Sequence, residues 1–142
     1  MLECDNMKKI LLLGKGGALG GELANALNGI SQLLAPDKNT LDVTNYKALS
    51  GYISSYRPDF IINATAYNNV DGAESAEGQK LAFDINAHAV CSIAEIAGIF
   101  NSALIHFSTD QVFDGIKEAG YKESDQPNPI NAYGKSKLEG EE

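Results

Sequence analysis

The 142-residue sequence predicts an α/β fold built on a parallel sheet with helices on both faces. Short apolar runs of strand length alternate along the chain with longer segments whose apolar residues recur at helical spacing. Strands and helices that alternate in this way form parallel strands joined by right-handed crossovers. Ligands bind such sheets beyond the carboxyl ends of the strands, so the residues that end each strand are the candidates for chemistry.

The first strand-to-helix connection carries a pattern of glycines. Residues 10–13 are an apolar run typical of a buried strand, and Gly14, Gly17 and Gly20 follow at three-residue intervals. The next helix is predicted from a stripe of apolar residues: Leu19, Leu23, Leu27 and Ile30. In this context the glycines allow a tight turn, approach to a pyrophosphate, and packing of the helix on the strand. The pattern predicts a Rossmann-type, doubly wound domain over residues 1–142 that binds a dinucleotide; a flexible glycine loop is the alternative.

The following elements are predicted from shorter patterns. Residues 32–35 predict a second strand, and residues 41–43 predict a short third strand. Thr44 is the expected N-cap of a helix that Pro58 ends. One face of that helix is predicted to hold Tyr46, Leu49, Ile53 and Tyr56.

The second half of the sequence continues the alternation. Residues 60–62 predict a buried strand that ends at Asn63 and Ala64. After a polar loop, a helix of about five turns is predicted from a long apolar stripe: Leu81, Ile85, Ala89, Ile93, Ile96 and Phe100. Residues 103–107 predict a further strand, residues 111–130 are irregular, and a last helix begins near Asn131.

The composition argues against several classes of partner. The net charge of −8 argues against nucleic acid and an anionic membrane as partners, since the sequence has no basic patch. The apolar runs fall short of the ~20 residues of a membrane span, and no signal-peptide pattern is recognised, so a cytoplasmic location is expected. His88 and His106 have no partners at metal-binding spacing, so no metal site is expected. Residues 1–6 are expected to be a disordered extension.

A second candidate constellation lies near the last helix. Tyr133 and Lys137 are four residues apart, which puts both side chains on one helix face. A tyrosine is a poor acid at neutral pH because its reference pKa is ~10, and a nearby ammonium favours the phenolate. Ser108 and Thr109 end the preceding strand and can donate hydrogen bonds to a substrate carbonyl. The set predicts proton transfer paired with hydride transfer from a nicotinamide; a chance pair on an exposed helix is the alternative.

The choice of cofactor is predicted from residues near the second strand. Asp37 lies at the spacing of a carboxylate that binds the ribose hydroxyls of NADH. Lys15 and Lys38 could instead meet the 2′-phosphate of NADPH. Both cofactors are therefore expected, with a modest preference for NADPH.

Five segments resemble the N-terminal part of the dTDP-4-dehydrorhamnose reductase family, which belongs to the extended short-chain dehydrogenases/reductases. They are GKGGALGGEL (14–23), RPDFIINATAYNNVDGAES (57–75), FDINA (83–87), HFSTDQVFDG (106–115) and NPINAYGKSKLEGE (128–141). The resemblance implies NAD(P)H-dependent reduction of the 4-keto group of a nucleotide-linked deoxysugar, in dTDP-L-rhamnose synthesis. It implies Thr109 as the carbonyl donor, Tyr133 as the proton donor and Lys137 on the nicotinamide ribose.

The resemblance also supplies the wider set of expected contacts. Asp42 resembles the family's carboxylate at the adenine edge, with a simple turn aspartate as an equal alternative. The expected cofactor contacts are Gly14, Lys15, Gly17, Ala18, Leu19, Gly20, Asp37, Lys38, Asp42, Val43, Ala64, Thr65, Ala66, Tyr67, Asn86, Ser108, Tyr133 and Lys137. The expected substrate contacts are Asn68, Asp71, Ser108, Thr109, Asp110 and Phe113.

Two other functions share these features. A non-catalytic NAD(P)-binding regulatory subunit, resembling that of methionine adenosyltransferase, has the same fold, and a sugar-nucleotide epimerase of the same superfamily would keep Tyr133 and Lys137. The family continues into a C-terminal substrate domain that the sequence lacks, so a fragment or a natural truncation is expected. The 142 residues alone are expected to be inactive, because the catalytic pair lies on a terminal helix that is expected to fray. A nucleotide-sugar and a second copy of the chain are the expected partners.

Overall fold

The computed structural model describes residues 7–142, and the extension expected over residues 1–6 lies outside the described residues. The described chain forms two compact units. Unit 1 comprises residues 7–65 and 91–107, and unit 2 comprises residues 66–90 and 108–142. The expected single domain over residues 1–142 stays a prediction.

Unit 1 contains a four-stranded parallel sheet. Its strands are β1 (Lys9–Leu13), β2 (Gln32–Leu34), β3 (Phe60–Asn63) and β4 (Ala103–His106), in the order β2-β1-β3-β4. Leu11 of β1 pairs with Leu34 on one side and with Ile61 on the other, and Ile61 pairs with Leu104. The predicted α/β class with a parallel sheet is confirmed.

Three helices accompany these strands: α1 (Ala18–Leu27), α2 (Tyr46–Tyr56) and α4 (Ala89–Phe100). One face of the sheet packs against α2 and α4. That core is formed by Leu11, Leu13, Leu41, Leu49, Ile53, Ile61, Ile93, Ile96 and Ala97, all buried. Removing this apolar surface from water is the main term that stabilises unit 1.

Unit 2 is mostly helical. It holds a 3₁₀ turn (Gly72–Glu74), helix α3 (Ala76–Phe83), a π-helical segment (Asp84–His88), a second 3₁₀ turn (Asp110–Val112) and helix α5 (Ala132–Glu141). Its small core comprises Ala73, Ala82, Ala132 and Tyr133, with Tyr67 and Val70 packed against it. The predicted last helix therefore begins where expected, and Asn131 is its N-cap.

The predicted third strand and the predicted N-cap Thr44 are wrong. The backbone of residues 37–45 forms turns instead of ladder bonds: the amide of Leu41 donates to Asp37 O (2.9 Å) and that of Asn45 to Asp42 O (3.0 Å). The helix begins one residue later than predicted, because Asn45 Oδ1 accepts from the amide of Ala48 (3.1 Å). Asx turns of this kind compete locally with strand pairing.

The helix stripes were only partly predicted. Leu49 and Ile53 are buried as expected, whereas Tyr46 and Tyr56 are exposed. Leu19 is exposed, and Ile30 lies beyond the end of α1 and is also exposed. The periodicity of a helix identifies residues that share a face, but it does not say how much of that face another element covers.

The long helical stripe is interrupted by the π-helical segment. The amide of Ala89 donates to Asp84 O, a bond across five residues that shifts the helical phase. Leu81 is consequently exposed, while Gly78 and Ala82 are buried in its place. The apolar stripe was predicted as one face of an uninterrupted α-helix, and the phase shift is why it fails upstream of residue 84.

In the part of the chain that the structure describes, one helix is long and apolar enough to cross a membrane: Ala76–Phe100, which runs through α3, the π-helical segment and α4. Such length and composition are weak evidence for a span, because core helices pass the same test. Ile93 and Ile96 are fully buried in the core of unit 1. We therefore interpret the C-terminal part of this helix as a core helix.

Candidate active site

The glycine turn lies in unit 1, between β1 and α1. Gly14 has a φ of +87°, and an added Cβ would lie 2.7 Å from backbone atoms of Ala64 and Thr65. At Gly20 an added Cβ would lie 2.0 Å from Gly14 O. Both positions therefore require glycine for the fold itself, as predicted for the tight turn and for the packing of helix on strand.

Gly17 differs from the other two glycines. It is the N-cap of α1, and an added Cβ would meet only Gly14 O, at an ordinary contact distance of 3.6 Å. The fold therefore does not require glycine here, so the space beside Gly17 is available to a ligand. Because a glycine N-cap has no side chain to cap the helix, the first amides of α1 remain donors for an anion. This cradle fits the pyrophosphate of a dinucleotide.

Charged residues of both signs lie near the ends of β1 and β2 in unit 1. Hydrogen bonds from the Thr40 amide (2.8 Å) and hydroxyl (2.9 Å) lower the pKa of Asp37, and the charge of Lys15 adds to this effect. The amide and hydroxyl of Thr44 likewise lower the pKa of Asp42, with a smaller contribution from Lys38. Asp37 and Asp42 thus each accept hydrogen bonds within a local turn. For Asp42 this is the role of a simple turn aspartate, the alternative to a contact with the adenine edge.

The end of β3 is fixed by a buried asparagine. Asn63 is fully buried, and its Oδ1 accepts from the amide (3.1 Å) and the hydroxyl (2.5 Å) of Thr65. Its Nδ2 lies 3.2 Å from His106 Nδ1 on β4. These contacts hold Ala64 and Thr65, two of the expected cofactor contacts, directly beyond the strand.

Helix α5 of unit 2 is docked at its start and near its end. Asn131 Oδ1 accepts from the amide of Gly134 (2.6 Å), and Glu74 Oε1 accepts from the amide of Ala132 (2.8 Å). An added Cβ would lie 2.3 Å from Gln111 O at Gly134 and 2.1 Å from Asn86 O at Gly140. The sequence pattern did not show what α5 packs against; the fraying of this helix and the inactivity of residues 1–142 on their own stay predictions.

Tyr133 and Lys137 are both buried on this helix, with 9% and 2% of their surfaces exposed. The pair therefore does not lie on an exposed helix face, and its catalytic role stays a prediction. Burial lowers the pKa of Lys137 below its ordinary value, and the carboxylate of Glu141, one turn further along, acts in the opposite direction. A lysine is rarely buried to this degree, and a buried ionisable group with a shifted pKa is typical of functional sites.

The predicted carbonyl donors are engaged within unit 2. The hydroxyl of Ser108 donates to Glu141 Oε1. Thr109 caps the 3₁₀ turn that follows it: its Oγ1 accepts from the amide of Gln111 (3.3 Å) and donates to Asp110 Oδ1 (3.2 Å). To donate a hydrogen bond to a substrate oxygen, the Ser108 hydroxyl would have to leave Glu141, and the Thr109 hydroxyl would have to leave Asp110.

Asn86, a predicted cofactor contact, is fully buried at the centre of the π-helical segment. Its side chain bonds both backbone groups of Tyr67, accepting from the amide (2.8 Å) and donating to the carbonyl (3.0 Å). It also donates to Ser136 Oγ (2.9 Å), a residue that the sequence analysis missed. The only signal for Ser136 was a small polar residue three positions after Tyr133.

The remaining predicted residues are more exposed. In unit 1, Lys15, Ala18 and Lys38 are exposed and Val43 is half-buried; in unit 2, Ala66, Asn68, Asp71 and Asp110 are exposed. Phe113 stacks on Tyr121, with ring centroids 4.3 Å apart, in a cavity of about 370 Å³ that Asp110 also lines. Among residues 7–142, no group of three or more His, Cys, Asp or Glu side chains could hold a metal ion. The expected lack of a metal site stays a prediction.

Comparison with known proteins places the chain in a family. A family model described as RmlD substrate binding domain matches residues 7–142. The chain belongs to this family. A dTDP-4-dehydrorhamnose reductase of Aggregatibacter actinomycetemcomitans is 46% identical over 137 residues, covering 95% of this chain and 46% of that protein. The resemblance inferred from the motifs is confirmed.

Solved structures agree with this assignment. A dTDP-4-dehydrorhamnose reductase from Bacillus anthracis in complex with NADP has a TM-score of 0.90 and 36% identity, covering 95% of this chain and 48% of that one. A dTDP-4-dehydrorhamnose reductase ortholog from Clostridium acetobutylicum has a TM-score of 0.89 and 38% identity, covering 94% of this chain and 47% of that one. The chain therefore spans about half the length of the relatives that it matches.

Proposed function

We propose that the full-length protein containing this chain reduces the 4-keto group of a nucleotide-linked deoxysugar with NAD(P)H, as a dTDP-4-dehydrorhamnose reductase does. The burial of Lys137 on the same helix face as the buried Tyr133 carries the proposal. The names of the relatives support the substrate class, and the NADP bound to the Bacillus anthracis protein supports the cofactor. A homodimer and a cytoplasmic location are further predictions.

The residues of unit 1 would hold the cofactor. Its pyrophosphate would take the space beside Gly17 and accept hydrogen bonds from the first amides of α1. Lys15 and Lys38 would attract a 2′-phosphate, since each already acts electrostatically on a neighbouring aspartate. Ala64 and Thr65, fixed by Asn63, would line the same cofactor.

The residues of unit 2 would move the proton. A bound NAD(P)H would supply a hydride to the carbonyl carbon. Tyr133 would donate its phenolic proton to the carbonyl oxygen as negative charge develops there, so that the ketone becomes an alcohol. Lys137 would stabilise the phenolate that remains, and Thr109 would donate a hydrogen bond to the same carbonyl oxygen.

Oxidation of NADPH in the presence of a dTDP-4-keto-6-deoxysugar tests the proposal. The full-length protein should oxidise one NADPH for each sugar reduced. The reaction is measured by the loss of absorbance of the reduced nicotinamide. Binding of NADPH without turnover of this sugar would contradict the proposal and favour the non-catalytic regulatory subunit. Net conversion of a nucleotide-sugar to its epimer without NADPH consumption would favour the epimerase.

Replacement of Lys38 by alanine tests how the protein distinguishes the two cofactors. We expect Lys38→Ala to raise KM for NADPH about tenfold, because the substitution removes a positive charge that would attract the 2′-phosphate. KM for NADH should stay within about twofold, since NADH has no 2′-phosphate. Steady-state kinetics with both cofactors measure this, and Lys122→Ala, which removes an exposed lysine of unit 2, controls for net charge. An equal increase in KM for both cofactors would show that Lys38 does not distinguish them by the 2′-phosphate.

A further inference from the structure

Ser136 lies between the two proposed catalytic side chains in sequence and is fully buried. Its hydroxyl donates to the backbone carbonyl of Tyr133 at 2.7 Å, within the first turns of α5. The same oxygen accepts a hydrogen bond from Asn86 Nδ2 at 2.9 Å. The hydroxyl thus links the turn that carries Tyr133 to a residue 50 positions away in the chain.

Asn86 in turn holds the backbone of Tyr67 by two hydrogen bonds, of 2.8 and 3.0 Å. A buried amide with both ends bonded in this way has little freedom to rotate. The π-helical segment presents this side chain, and π-helical turns within α-helices are frequent at functional sites. Tyr67, Asn86, Ser136 and the Tyr133 carbonyl therefore form one continuous chain of hydrogen bonds inside unit 2.

The packing of α5 also constrains the geometry of this chain of hydrogen bonds. Gly140, one turn beyond Ser136, lies so close to Asn86 O that an added Cβ would be 2.1 Å away. Helix α5 thus lies directly on the π-helical segment at two successive turns. Ser136 is fully buried at the first of these turns, so both hydrogen bonds of its hydroxyl are shielded from water.

We propose that Ser136 is a positioning residue, whose hydroxyl fixes the turn bearing Tyr133 and Lys137 against Asn86 and the Tyr67 backbone. Its effect on turnover rests on the proposed function, whereas its effect on the Tyr67 backbone does not. A site for proton transfer needs its groups held to within about 0.5 Å. A hydroxyl that ties the helix to a buried amide supplies such a constraint.

Kinetics of two variants of the full-length protein test this role. Ser136→Ala should lower kcat on the order of tenfold with KM for NADPH within about twofold, because misplaced groups slow the chemical step. Ser136→Cys keeps the size but bonds weakly, so its kcat should fall about as much as that of Ser136→Ala. If Ser136 served only to fill space, Ser136→Cys would keep nearly full activity while Ser136→Ala lost it, and the proposal would be overturned.

Ser75→Ala is the matched control. Ser75 also makes two hydrogen bonds, donating to Gly72 O (2.8 Å) and accepting from the amide of Gly78 (3.0 Å), as the N-cap of α3. Its loss should lower the free energy of unfolding by about 1 kcal/mol and leave kcat unchanged. A fall in kcat in Ser75→Ala equal to that in Ser136→Ala would attribute the effect to general destabilisation and overturn the proposal.

Hydrogen exchange of the Tyr67 amide gives a readout that does not depend on activity. This amide donates to Asn86 Oδ1, so Ser136→Ala should speed its exchange about tenfold or more by loosening Asn86. Exchange in β1 should not change. Faster exchange at Tyr67 in a protein without reductase activity would refute the proposed function but keep the positioning role. Unchanged exchange at Tyr67 would overturn the role of Ser136.

Discussion

Tyr133→Phe in the full-length protein should lower kcat by about 10² to 10⁴-fold, the range that a positioned general acid contributes. The substitution removes a single oxygen atom from a side chain that is 9% exposed and packed against Ala73, Ala82 and Ala132. The apolar packing of unit 2 should therefore persist. Because the hydroxyl matters only where negative charge develops, KM should change much less than kcat.

The measurement is steady-state NADPH oxidation beside direct titration of NADPH binding. NADPH affinity should stay within about twofold, since the hydroxyl gives its proton to the sugar. Tyr52→Phe is the matched control: Tyr52 is half-buried against the core of unit 1, so the same atom is lost from a residue with no part in the proposed proton transfer. An unchanged kcat in Tyr133→Phe would remove Tyr133 from the mechanism.

Features that depend on local periodicity were predictable from the sequence. The strand, glycine turn and helix of residues 9–27 and the shared helix face of Tyr133 and Lys137 follow from spacing alone. The burial of Tyr133 did not follow, because it depends on Ala73 and Ala82, which the chain brings to α5 from other segments. The helix was expected to fray for that reason.

Features that depend on a single hydrogen bond were missed. The π-helical segment leaves no mark in the spacing of apolar residues, so the exposure of Leu81 could not be foreseen. Ser136 acquires its importance from Asn86, which no local pattern connects to it. The turn at Asp42 was different: an aspartate two residues before Thr44 is a local Asx signal, and the predicted strand overrode it.

Replacing Gly17 by alanine should weaken cofactor binding, whereas replacing Gly20 by alanine should destabilise the fold. The Gly17 backbone has φ −84° and ψ 168°, which alanine adopts readily, and an added Cβ is 3.6 Å from its nearest atom. Gly17→Ala should therefore keep the free energy of unfolding within about 0.5 kcal/mol. It should weaken NADPH binding about ten- to hundredfold, because the new methyl group occupies the space proposed for the pyrophosphate.

Gly20→Ala should instead lower the free energy of unfolding by about 3 kcal/mol or more, since the added Cβ would lie 2.0 Å from Gly14 O. Denaturant unfolding and NADPH titration on the same preparations separate the two effects. Gly51→Ala is the control: Gly51 lies on the exposed side of α2, where an added Cβ would have no atom within 4 Å, and alanine there should stabilise the helix by about 0.5 to 1 kcal/mol.

If Gly17→Ala bound NADPH as tightly as the unmodified protein, the pyrophosphate could not lie against Gly17. The role proposed for the glycine turn would then be wrong, although its fold would stand, because Gly14 and Gly20 are required by contacts within unit 1 alone.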